Sequence, residues 1–164
     1  MVQFVPMAKE HASGVMDVFN HYIQSSFAAY AEQPLPEQFF AAMLERIQGY
    51  PAYTILNSTG DLVIGFTNLK PWHSFSTFKG TAEITYFIHP RYVGKGVGSL
   101  ALNCLLADAR AMGIRTILAS ISSLNEPSLS FHKRNGFAEC GRFKGVGVKN
   151  GVSFDVVWMQ LNLK

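Results

Sequence analysis

A mixed α/β domain is predicted from three features of the 164-residue sequence, with a central, mostly antiparallel sheet flanked by helices in the order βααβββαβαββ. Apolar residues recur with two periods, alternating in some segments and spaced by three or four in others, which separates strands from helices. Turn signals rich in glycine, proline and asparagine divide these segments. The chain is about one domain long, enough to bury roughly two thirds of its unfolded surface around one core.

The opening "VQFVP" alternates as a short strand. "KEHASGVMDVFNHYIQSS" then places Val15, Val18, Phe19 and Tyr22 on one helical face. In "LPEQFFAAMLERIQGY", Pro36 suits an early helical position, while Phe39, Phe40, Met43, Leu44 and Ile47 keep helical spacing up to Gly49. "PAYTILNSTGDLVIGFTNLKPW" reads as a hairpin bent at Gly60. "TAEITYFIHP" is a further strand, stopped by Pro90. "RYVGKGVGSLALNCLLADARAMGI" begins with alternating glycines, Gly94, Gly96 and Gly98, and continues as a helix to about Met112. "RTILASI" is a strand, "EPSLSFHKRN" a helix, and two strands flank "KNGV". No repeat or linker interrupts the series, so residues 1–164 are expected to form one domain.

A hydrophobic content of 48% with 15% charged residues excludes a disordered chain, and no apolar run approaches the ~20 residues of a membrane span. The first residues lack a basic and then apolar leader, so a cytoplasmic location is expected and no membrane partner. Cys104 and Cys140 have no C-x-x-C spacing and are expected to be buried free thiols. The net charge of +3 is dispersed. "FHKR" and "GRFKGVGVK" fall far short of a nucleic-acid stripe, though they could serve a small anionic ligand.

Glycines before a helix let its unpaired first-turn N–H groups approach an anion closely, and a phosphate is the natural guest. They also serve tight strand–helix packing alone. "GVGSLA" satisfies G-x-G-x-x-A, but "RTILASIS" ends without the acidic residue that a nicotinamide dinucleotide requires, and no G-K-S/T closes the turn for a nucleoside triphosphate. A pyrophosphate on another cofactor remains.

"YFIHPRYVGKGVGSLAL", followed by "NEPSLSFHKRNGF", resembles the acetyl-coenzyme A signature of the GNAT acyltransferase superfamily. "FNHYIQSS", "AEITYFIHP" and "FDVVWMQLNL" resemble its phosphinothricin-type amino-acid N-acetyltransferases. The resemblance implies a GNAT-like domain that transfers acetyl from acetyl-coenzyme A to the primary amine of a small molecule in a ternary complex, working as a homodimer. It places the cofactor segment on Val93, Gly94, Lys95, Gly96, Val97 and Gly98, whose amides would cradle the pyrophosphate, with Lys95 nearby. Phe87 and Ile88 would bind pantetheine as a neighbouring strand does. Asn125 would hold the pantetheine arm, and His132 would protonate the departing sulfur. Val93 departs from the usual Gln or Arg. "PWHSFSTF" resembles the loop that shapes the acceptor pocket, with Trp72, Phe75 and Phe78 as candidates and Tyr30 a comparable case. His73 and Phe75 stand where arginines are common, which points to a more apolar amine.

Acyl transfer to an amine needs a group that removes a proton from nitrogen and another that supplies one to sulfur. Glu83, the only carboxylate in its strand, is the candidate base, and alternatively a solvated glutamate or a partner of Lys79. His132 could equally be a surface or capping histidine, Asn125 a helix cap, and the aromatic residues part of the core. His11, His21, His73 and His89 lack metal-ligand spacing, so no metal is expected. A coenzyme A binding module without transfer activity is the competing class.

Overall fold

In the computed structural model, which describes residues 1–164, the alternating segments pair into one seven-stranded sheet. Its strands are β1 (Gln3–Pro6), β2 (Ala52–Leu56), β3 (Val63–Pro71), β4 (Thr81–Ile88), β5 (Thr116–Ser122), β6 (Ala138–Lys149) and β7 (Val152–Asn162). They lie in the order β1-β2-β3-β4-β5-β7-β6. The helices are α1 (Ala12–Ser25), α2 (Phe39–Arg46), α3 (Val97–Ala111) and α4 (Glu126–Arg134), so the chain follows the expected succession and is a mixed α/β domain. Only β4 and β5 run parallel, and the other neighbouring pairs are antiparallel.

The alternation along β3 and β4 sorts residues between the two helical layers. Phe66, Asn68 and Lys70 stand opposite Phe87, Thr85 and Glu83 in register. Phe66 and Phe87 pack with Val15, Val18 and Phe40, which sets this row beneath α1 and α2. Leu69, Ala82 and Ile84 belong to the other face, against Leu102 and Leu105 of α3.

The pairing of β4 with β5 ends early. It covers only Thr81↔Thr116, Ala82↔Ile117 and Glu83↔Leu118, and beyond Glu83 the two strands separate. β4 continues to pair with β3 as far as Ile88, so its other edge is left without a strand over Thr85–Ile88. A strand edge of this kind presents backbone groups to a guest.

Two expectations are corrected. The second helix starts at Phe39, since Pro36 and Glu37 accept from Phe39 and Phe40 through tighter three-residue steps that precede the regular helix. Of the two thiols, both free, Cys104 is half-buried and Cys140 is exposed, because β6 lies at the edge of the sheet and is solvated along most of its length.

Lys149 is the one charged residue in the interior, 2% exposed. Taking an ammonium out of water costs several kcal/mol. Here its Nζ donates to three carbonyls, those of Ile23, Ser26 and Ala29, each at 2.7 Å. Hydrogen bonds from a charged donor contribute roughly 1.5–3 kcal/mol apiece, enough together to offset that cost. Burial still lowers the Lys149 pKa.

Candidate active site

The separation of β4 from β5 opens a cavity of about 1070 Å³. Glu83, Phe87, Ile88, Val93, Gly94, Gly96, Gly98, Asn125, His132 and Tyr30, all singled out from sequence, line this one space. Gly96 is the N-cap of α3 at φ +81°, with no side chain capping the helix. The first-turn N–H groups of α3 therefore lack intrahelical acceptors. A Cβ placed on Gly94 or Gly96 meets no protein atom within 4 Å, and both residues have positive φ. The glycines are thus not required by tight packing at those two positions. They set a left-handed backbone and leave the amides open, a cradle that suits a phosphate.

Lys95 and Val97 do not face this cavity. Lys95 Nζ sits 5.3 Å from the centre of the Tyr92 ring, and both side chains line a separate pocket of about 320 Å³. "FHKR" does supply a cation to the main cavity, in Arg134. The Ile88 carbonyl accepts from the Tyr22 hydroxyl at 2.5 Å, which ties α1 to the open edge of β4. Asn125 caps α4, its Oδ1 accepting from the Ser128 amide at 3.3 Å while the residue also faces the cavity.

Glu83 pairs across the strands with Lys70 rather than Lys79, Nζ to Oε2 being 3.3 Å. The Glu83 side chain is 19% exposed, and both partners line the cavity. Lys70 escaped sequence reasoning because the register of β3 on β4 is needed to see the pair.

His132 is buried, and its Nδ1 lies 2.7 Å from the Ser128 carbonyl. A carbonyl only accepts, so Nδ1 carries the proton. On the neutral ring this leaves a lone pair at Nε2, to which the Tyr86 hydroxyl donates. Burial lowers the His132 pKa, which favours that neutral form, and raises the Tyr86 pKa well above its ordinary value. The rings stack with centres 5.5 Å apart. Tyr86 also lines the cavity, and its opposite parity to Glu83 gave no sign of a shared site.

Trp72, Phe75 and Phe78 are not part of the cavity lining. The β3–β4 ladder ends at Pro71↔Ala82, and the loop beyond it extends past the sheet. There Phe78 packs on Trp72 at 5.2 Å and on His73 at 4.9 Å, with Phe75 stacked on His73. The end of the cavity towards α1 and α2 is lined by other residues: Phe27 follows α1, and Phe39, Met43 and Arg46 come from α2. Phe40 packs on Phe66 at one end of α2, and Pro51 beyond its other end accepts from the Leu69 amide. No three His, Cys, Asp or Glu side chains converge as metal ligands, and no helix is long and apolar enough to cross a membrane.

Residues 15–137 match the model of the acetyltransferase (GNAT) family. The chain is 32% identical over 152 residues to an L-methionine sulfoximine/L-methionine sulfone acetyltransferase of Pseudomonas aeruginosa, covering 92% of this chain and 88% of that protein. Against the L-amino acid N-acyltransferase MnaT of Escherichia coli it is 30% identical over 157 residues, covering 94% and 90%. A phosphinothricin acetyltransferase of Sinorhizobium meliloti, solved with acetyl-coenzyme A, superimposes with a TM-score of 0.92 at 25% identity, over 99% of this chain and 88% of that one. The yncA protein of Salmonella typhimurium, solved with its cofactor acetyl-coenzyme A, gives 0.89 at 28% identity, over 99% and 94%. Fold, glycine turn and family match agree: the chain belongs to the GNAT family of acetyltransferases.

Proposed function

We propose that residues 1–164 act as one N-acetyltransferase unit that moves acetyl from acetyl-coenzyme A directly onto the primary amine of a small, amino-acid-like molecule with an apolar body. One observation carries this reading. The glycine turn of α3 and Glu83 open into the same cavity, so a thioester along the free edge of β4 and an amine beside Glu83 can meet inside it.

The geometry supports the following roles. The amides of the Gly94–Gly98 turn take the pyrophosphate, while Phe87 and Ile88 offer the strand edge to pantetheine. Glu83 removes a proton from the amine, directly or through water, as nitrogen bonds to the acetyl carbon and the carbon–sulfur bond breaks. With Nδ1–H held by Ser128 and Nε2 accepting from Tyr86, neutral His132 has no proton to give. The Tyr86 hydroxyl can turn its one O–H from Nε2 to the departing sulfur and steady it by a hydrogen bond. The thiolate leaves as such and takes its proton from solvent, the amine proton having gone to Glu83. Because "PWHSFSTF" stays outside the cavity, its lack of arginine places no limit on a substrate carboxylate. Arg46, with no ion-pair partner, and Lys70 supply positive charge, and Phe27, Phe39 and Met43 suit an apolar side chain. The names of the relatives, which act on L-methionine derivatives and L-amino acids, support the same acceptor class.

The test is release of free thiol from acetyl-coenzyme A with a panel of amines. Apolar L-amino acids are expected to react faster than alkylamines of equal size without a carboxylate. Acetyl-coenzyme A binding with no thiol release for any amine would instead mark a binding module. Tyr86→Phe keeps the ring and removes the hydroxyl, and is expected to lower kcat about 10-fold with little change in amine KM. An unchanged kcat would remove the Tyr86 hydroxyl from the reaction.

A homodimer is part of this proposal. Phe143, Val146 and Val148 are exposed along the edge strand β6, where a second copy would cover them, and light scattering that shows a monomer would remove it. Two free thiols suit a reducing compartment and a cytoplasmic location.

A further inference from the structure

The segment that leaves α1 has no strand or helix of its own, yet Ser26, Phe27, Ala28, Ala29 and Tyr30 all line the cavity. Its shape is imposed from the β6–β7 hairpin. The three N–H bonds of Lys149 meet three carbonyls, one in the last turn of α1 and two within the segment. The next residue, Asn150, donates its amide to Glu32 Oε1 at 2.8 Å. Phe154 of β7 stacks on Tyr30 at 5.7 Å and meets Phe27 at 5.8 Å. Tyr30 is linked onward to Ser120 of β5, hydroxyl to Oγ, at 3.1 Å.

An ammonium suits this place for a specific reason. The end of a helix presents carbonyls without intrahelical partners at the negative pole of its dipole, and Lys brings three donors and a positive charge to it. An apolar side chain of equal length would leave the carbonyls unpaired in the interior.

We infer that Lys149 is a positioning residue for the amine acceptor, holding Ser26–Tyr30 as a fixed wall so that Tyr30 and Phe27 stay in place over the acceptor. This rests on the acetyl transfer proposed above. Lys149 touches neither the α3 turn nor the free edge of β4, so its effect falls on the acceptor and spares the coenzyme.

Lys149→Met is expected to raise the amine KM at least 10-fold, with kcat within about 3-fold of wild type and acetyl-coenzyme A affinity, read by calorimetry, within about 2-fold. Hydrogen exchange should quicken across residues 26–32 and stay unchanged in α3. A parallel loss of coenzyme affinity and amine KM, or exchange raised throughout the chain, would overturn the inference. Should that variant not fold, Glu32→Ala acts on the exposed side of the same clip. It is expected to raise amine KM about 3-fold and quicken exchange over the same residues, and unchanged exchange there would equally overturn the inference. If wild type acetylates no amine, the transfer reading fails by itself, while exchange over residues 26–32 still decides whether the clip exists.

Discussion

Glu83→Gln is expected to lower kcat/KM for the amine about 10²-fold or more while acetyl-coenzyme A binds as in wild type. An alkylamine is almost wholly protonated at neutral pH, and a protonated nitrogen has no lone pair for the thioester. Glutamine keeps the size of Glu83 and can still accept a hydrogen bond from Lys70, but it cannot carry the proton away. The loss should shrink as pH rises from 6 to 9, because free amine grows about tenfold per pH unit below the amine pKa. Steady-state rates across that range check it, with the coenzyme Kd measured separately. A variant near wild type at every pH would make Glu83 a structural partner of Lys70 only.

Gly96→Val is expected to weaken acetyl-coenzyme A binding at least 10-fold. At φ +81° a β-branched residue carries strain on the order of 1–3 kcal/mol, and relief of that strain turns the first amides of α3 out of line. Steric blockage adds to this on the ligand side, since the Cβ meets no protein atom within 4 Å. Calorimetric titration decides it, with circular dichroism to show that the variant is folded. Equal affinity in a folded variant would move the phosphate away from this turn. Gly94→Val, at φ +77°, should behave alike.

The order of elements was readable because each helix and strand carries its own period, and the one parallel pair is the exception that periodicity cannot reveal. The glycine turn stood out through residue type, since three alternating glycines before an apolar helix are costly unless geometry or a close guest requires them. What stayed hidden depends on pairing between distant segments. Lys70 becomes a partner of Glu83 only through the register of two strands whose connection, residues 72–80, runs past the sheet. Tyr86 meets His132 only because β4 and β5 separate, which lets residues of both parities reach one cavity. "PWHSFSTF" lies outside the cavity lining with its rings packed on one another, an arrangement that composition does not distinguish from lining a pocket. Lys149 reads in sequence as an ordinary turn lysine before Asn150 and Gly151, and its burial follows from contacts more than a hundred residues away.

The early end of the β4–β5 ladder divides the cavity into two kinds of surface with different evolutionary freedom. The open edge and the α3 turn present main-chain amides and carbonyls, which most side-chain replacements leave in place. The opposite end is written in the side chains of α1, α2, β3 and the segment clipped by Lys149, where each replacement redraws the pocket. A chain built this way can keep the main-chain surface while exchanging the side chains at the other end, and two proteins about one third identical to it carry the names of an L-methionine sulfoximine/L-methionine sulfone acetyltransferase and an L-amino acid N-acyltransferase.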